Sequence, residues 1–80
     1  MNEILLFGVT REIIGGASLK LTGEGLPENV GDLRQMLMER YPELRTITSL
    51  RVAVNNEFAN DNTVIHPQDE VALIPPVSGG

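Results

Sequence analysis

The chain has 80 residues, no cysteine, and six basic against eleven acidic residues, for a net charge of −5. That length gives one domain with a single small core and little room for a catalytic cleft, and the missing thiols exclude disulfides and cysteine redox chemistry. The negative charge repels phosphate backbones, so nucleic acid is not an expected partner, whereas a basic surface on another protein is.

The apolar residues, 41% of the chain, are clustered enough to predict a folded domain. Met1-Asn2-Glu3 carries no basic leader, and the apolar run after it is too short for a signal peptide or a membrane span. A soluble, cytoplasmic protein that does not engage a membrane is therefore expected. The run itself, Ile4 to Val9, has strand length and reads as a central strand buried on both faces. Thr10 to Ile14 predicts one helical turn ended by Gly15-Gly16, and Ala17 to Thr22 predicts a second strand with Leu19 and Leu21 on one side. These two strands are expected to pair as a wide hairpin.

The main helix is predicted after the turn material Gly23-Glu24-Gly25-Leu26-Pro27. Asn29 is its expected N-cap, with Asp32 in the capping-box position. Val30, Leu33, Met36, Leu37 and Arg40 recur at spacings of three and four, so one stripe faces a sheet, and Pro42 stops the helix near Tyr41. Leu50 to Asn55 is the third strand with Val52 and Val54 inward, and Asn55-Asn56 turns into a short strand at Glu57 to Ala59. Asn60 to Asp69 is turn-rich, with Pro67 suited to the second position of a type I turn. Glu70 to Pro75 is the last strand, again apolar and central. Pro75-Pro76 cannot continue a ladder, so the chain is expected to leave the sheet there as a free tail.

Two central strands at opposite ends of the sequence predict that first and last pair side by side. With the hairpin and one crossing helix this makes an α+β, ubiquitin-like β-grasp, a mixed sheet of four to five strands. Residues 1–80 form one domain, of which 76–80 are an extended, flexible C-terminal tail ending Gly79-Gly80. A Gly-Gly ending presents a carboxylate with no side chain near it, fit to be threaded into a narrow active site.

Catalytic side chains are scarce. His66, the one histidine, stands beside Pro67 with too few converging ligands for a metal site, and reads as a solvated turn residue. Ser18, Ser49 and Ser78 lack a histidine partner at triad spacing. Lys20, the one lysine, is expected to be exposed on its strand. Arg11 follows the first strand, where its guanidinium suits either a partner carboxylate or the capping of a turn. Phe7, Phe58 and Ile74 suit either the core or an uncovered sheet face, since one helix covers only one face; an exposed apolar patch next to a free tail would be a docking surface.

Phe7-Gly8-Val9-Thr10-Arg11-Glu12, Val52-Ala53-Val54-Asn55-Asn56-Glu57-Phe58-Ala59 and, above all, Asp69-Glu70-Val71-Ala72-Leu73-Ile74-Pro75-Pro76-Val77-Ser78-Gly79-Gly80 resemble the small subunit of molybdopterin synthase, the MoaD-type sulfur carriers. Gln68 stands where that family usually has Gly, and Asn56 where Gly is frequent, both in predicted turns. The resemblance implies a non-catalytic carrier subunit of a transferase. A ubiquitin-activating-type enzyme uses ATP to adenylate Gly80, a persulfide sulfur replaces the oxygen, and the thiocarboxylate donates sulfur to cyclic pyranopterin monophosphate to build the molybdopterin dithiolene. It also implies a heterotetramer with the large synthase subunit, which holds the catalytic side chains, and no cofactor bound by this chain. Gly80 would be the reacting residue and Gly79 its threading partner. Phe7, Arg11, Phe58, Ile74, Pro75, Pro76, Val77 and Ser78 would bind the partner. A carrier for thiamin, cysteine or tRNA thiolation, or a ubiquitin-like modifier, remains the alternative.

Overall fold

The computed structural model describes residues 3–21, 27–47 and 49–76. Within them the order is β1 (Glu3–Leu6), α1 (Val9–Ile14), β2 (Ser18–Lys20), α2 (Val30–Arg40), a 3-10 helix (Pro42–Thr46), β3 (Arg51–Val54), β4 (Glu57–Ala59) and β5 (Val71–Ile74). The five strands form one sheet in the order β2-β1-β5-β3-β4. β1 and β5 run parallel, with Ile4 opposite Val71 and Leu6 opposite Leu73, and the other three pairings are antiparallel. The first and last strands are thus neighbours at the centre, as their apolar runs predict.

α2 crosses one face. Asn29 has extended backbone angles and its Oδ1 accepts from the Asp32 backbone N–H at 2.8 Å, satisfying one of the free donors of the first turn. Val30, Leu33 and Leu37 are buried beneath the helix, Met36 is half-buried, and Arg40 is exposed beside the Tyr41 ring. They pack on the inward residues Ile4, Leu6, Val52, Val54, Val71 and Leu73. Full burial of Leu33 alone is worth about 1.5–3 kcal/mol. The 3-10 helix, which has no sequence expectation, closes the core with the fully buried Leu44 and begins on Pro42, whose fixed φ suits a first helical position.

Several expectations are corrected. The first strand ends at Leu6 rather than Val9, because the Thr10 hydroxyl accepts from the Phe7 backbone N–H and donates to the Phe7 carbonyl, turning the chain into α1. It is not buried on both faces: Ile4 and Leu6 are buried, Leu5 is half-buried, and Phe7 and Val9 are 43% and 41% exposed. β2 is shorter than Ala17–Thr22, and Thr22 lies outside the described residues. The Asn55-Asn56 turn has φ of 52° and 69°, the type I′ pattern that asparagine tolerates. The 66–69 turn carries Pro67 second, closed by the Asp69 N–H to the His66 carbonyl. Val77, Ser78, Gly79 and Gly80 lie outside the described residues.

Candidate functional site

Alternation along the strands sends every second residue away from α2, and the register lines these residues up across the sheet. Leu5 pairs with Ala72, Ala72 with Ala53, and Ala53 with Phe58. Two alanines in the middle and large side chains at both ends make a trough. It has a volume of about 210 Å³ and is lined by Leu5, Phe7, Ala53, Asn56, Phe58, Glu70, Ala72 and Ile74. Phe58, at its edge, is 60% exposed. The sequence alternatives for Phe7, Phe58 and Ile74 therefore resolve to the uncovered face.

Local bonds fix the walls. The Thr10 hydroxyl is fully buried and holds both backbone groups of Phe7, at 2.9 Å from the N–H and 2.6 Å to the carbonyl. Arg11 donates from Nε to the Leu6 carbonyl at 2.8 Å, and its guanidinium carbon lies 5.8 Å from the Phe7 ring centroid. The structure shows the turn-capping reading of Arg11, which ties down the β1–α1 turn through Nε, and its side chain is exposed. Arg51 lies over the Phe58 ring at 4.2 Å, within the range of a cation–π contact.

The root of the tail forms one end of this face. Ile74 and Pro75 are half-buried and Pro76 is exposed. Gly8 sits against them with φ 57° and ψ −135°, a region closed to other residues, and a Cβ there would stand 3.0 Å from Pro75 Cγ. The glycine lets β1 turn while the proline packs on it. At the opposite end Asn55 ties β3 to the start of β5, donating to Asp69 at 3.0 Å and accepting from the Glu70 N–H at 3.0 Å. The backbone N–H of His66 and the side chain of Asn55 hold the Asp69 carboxyl below its usual range.

The remaining candidates stay apart from the trough. His66 is an exposed turn residue with Nδ1 3.3 Å from Asp69, and Lys20 is exposed on β2. Ser18 donates to Glu3, and Ser49 is exposed at a φ of 61°. Among the described residues, no group of three histidine or acidic side chains is placed to hold a metal, and no helix is long and apolar enough to cross a membrane.

A family model matches residues 4–80, described as the ThiS family. The chain belongs to the ThiS family. Within that family it is similar to the molybdopterin synthase sulfur carrier subunit of Arabidopsis thaliana, 33% identical over 98% of this chain and 81% of the relative. Among solved structures it resembles small archaeal modifier protein 1 from Methanosarcina acetivorans, with a TM-score of 0.77 and 28% identity over 98% and 94% of the two chains. It also resembles a chain from the complex of subunits 1 and 2 of molybdopterin-converting factor from Helicobacter pylori, with a TM-score of 0.65 and 25% identity over 98% and 96%. The fold is the ubiquitin-like β-grasp. Thr10, Gly8 and Arg51 were not singled out as site residues from the sequence. A threonine just after an apolar run, placed to bond back to the end of a strand, is the sequence signal for the first, whereas the roles of Gly8 and Arg51 depend on backbone angles and register.

Proposed function

We propose that this ThiS-family chain is the sulfur carrier subunit of a molybdopterin synthase, with the Gly80 carboxylate as its cargo site. The observation that carries the reading is a placement. The apolar trough on the uncovered sheet face reaches Ile74, six residues before the C-terminal Gly80 in the sequence. A partner seated on the trough would receive the tail directly, and Gly79 and Gly80 offer no side chain to obstruct a narrow channel. Phe7, Arg11, Phe58, Ile74, Pro75, Pro76, Val77 and Ser78 are assigned to that docking.

A free α-carboxylate has a pKa of about 3.5 and is a poor electrophile at neutral pH. Adenylation by a ubiquitin-activating-type partner, with ATP releasing pyrophosphate, makes AMP the leaving group. A persulfide sulfur displaces AMP, and a thiol reduces the resulting acyl disulfide to the thiocarboxylate. The large synthase subunit then takes the tail, and the thiocarboxylate sulfur attacks a side-chain carbon of the pyranopterin with loss of an oxygen leaving group. Water cleaves the acyl–sulfur bond, leaving sulfur on the pterin and returning the Gly80 carboxylate. This chain supplies the scaffold, the docking face and the reacting terminus, and its partners supply ATP chemistry and catalytic side chains. A chain without cysteine, working beside ATP and a reduced persulfide donor, supports a cytoplasmic site of action.

A second reading is favoured by the likeness to the archaeal modifier protein: the same activated carboxylate could pass to a lysine amine, releasing AMP and leaving an amide. Intact mass separates the two after incubation with the adenylating enzyme, ATP and a sulfur donor. A mass gain equal to sulfur replacing oxygen at Gly80 supports the carrier, and covalent adducts to other proteins without that gain support the modifier. Gly80→Ala is expected to abolish either product with the fold unchanged by circular dichroism; full activity of that variant contradicts the threaded tail.

A further inference from the structure

The uncovered face is charged unevenly along the strands. Arg51 stands opposite Ile74 in the β3–β5 register, at the end where the tail leaves, and its guanidinium lies over Phe58. Arg11 stands at the same end, held against the turn after β1. β1 and β3 are the two neighbours of β5, and Arg51 starts β3 while Arg11, on α1, is bonded to the last residue of β1, so the two arginines stand on either side of the tail root. The far end reverses the sign: Glu70 lines the trough, and Glu3 stands there opposite Lys20, which offsets it. A chain with a net charge of −5 therefore presents cations where its tail departs. Net charge alone predicts a basic partner surface, whereas the local polarity asks for an acidic one. The exposed Arg51–Phe58 stack is weakly stabilising by itself, and a guanidinium on a ring face still carries N–H donors around its edge for a carboxylate.

We infer that Arg51 is a docking residue that, with Arg11 on the other side of β5, pairs with carboxylates on the adenylating enzyme's docking surface and orients the tail toward its active site. The inference deepens the carrier reading and rests on it. The competing occupant is a second copy of this chain, in which Arg51 of one copy would meet Glu70 of the other. Such a homodimer would cover the face that the tail's recipient needs.

The test is the association rate of the full chain with the adenylating enzyme across ionic strengths, with pyrophosphate release recorded for the wild type. Arg51→Glu is expected to slow association about tenfold at low salt, and the difference should vanish near 1 M, where screening acts within about 3 Å. Arg51→Gln should show a smaller loss of the same salt dependence and Arg51→Lys should stay within about twofold of wild type, as for a charge at an interface rim. Lys20→Glu makes the same change in net charge at the far end and should also stay within about twofold. Thermal melts confirm that each variant folds. Equal slowing by Arg51→Glu and Lys20→Glu, an unchanged rate for Arg51→Glu with an adenylated wild type, or a wild-type homodimer that Arg51→Glu dissociates would each overturn the inference. A wild type that releases no pyrophosphate contradicts the carrier reading itself, and the inference falls with it.

Discussion

The two faces of the central strands are built from neighbouring residues and have opposite fates. On β5, Val71 and Leu73 are wholly buried under α2, while Ala72 and Ile74 between and after them open onto the trough. On β3, Val52 and Val54 face the core, whereas Arg51 and Ala53 face outward. The covered face holds the fold together, and the uncovered one is an exposed apolar patch of the kind that can mark a docking surface. The contrast teaches that an apolar run along a strand does not by itself say which of its two faces is covered.

Substitutions on each face should separate stability from binding. Leu73→Ala is expected to cost about 2–5 kcal/mol, comparable with the whole stability of so small a core, and urea titration should find the variant largely unfolded. Phe58→Ala should change stability by less than about 1 kcal/mol, yet weaken association with the adenylating enzyme by about 2 kcal/mol, roughly 30-fold, as for an aromatic anchor. Calorimetric titration beside the urea curve checks it; equal stability losses for Leu73→Ala and Phe58→Ala would break the comparison. Asn29→Ala removes the cap of the helix that covers the inner face and should cost about 1 kcal/mol, read from the denaturation midpoint, with no effect on binding.

The smallest effect concerns the joint at the foot of β5. The Asp69 pKa is lowered from 3.8 in the folded state, so its bonds contribute stability above that value and lose it as pH falls through the folded pKa. Asp69→Asn should flatten the acid limb of the melting temperature below about pH 4 and leave neutral-pH docking unchanged. An acid limb identical to that of the wild type would show that the 66–70 turn does not depend on the charge.

Much of the fold was legible because it rests on periodicity. Val30, Leu33 and Leu37 place the helix, and the apolar runs at both ends of the chain place β1 beside β5. The run Ile4 to Val9 reads as doubly buried because a strand with one open apolar face and one enclosed on both faces have the same composition. The 3-10 helix at Pro42–Thr46 is too short to show a period, and only Leu44 reaches the core from it. Phe7 and Ile74 could be suspected from alternation. Arg51 could not, since its stack on Phe58 is a diagonal cross-strand contact that exists only once β3 and β4 are in register. Gly8 reveals its role only through a positive φ against Pro75.

The division between faces is tested most directly by titrating the isotopically labelled chain with the adenylating enzyme and following every backbone amide by nuclear magnetic resonance. The account predicts that broadening gathers on Leu5, Phe7, Arg51, Ala53, Phe58, Ala72, Ile74 and the residues after Pro76, while the outer surface of α2 keeps its signals. Broadening centred on α2, with the trough residues unchanged, would contradict it.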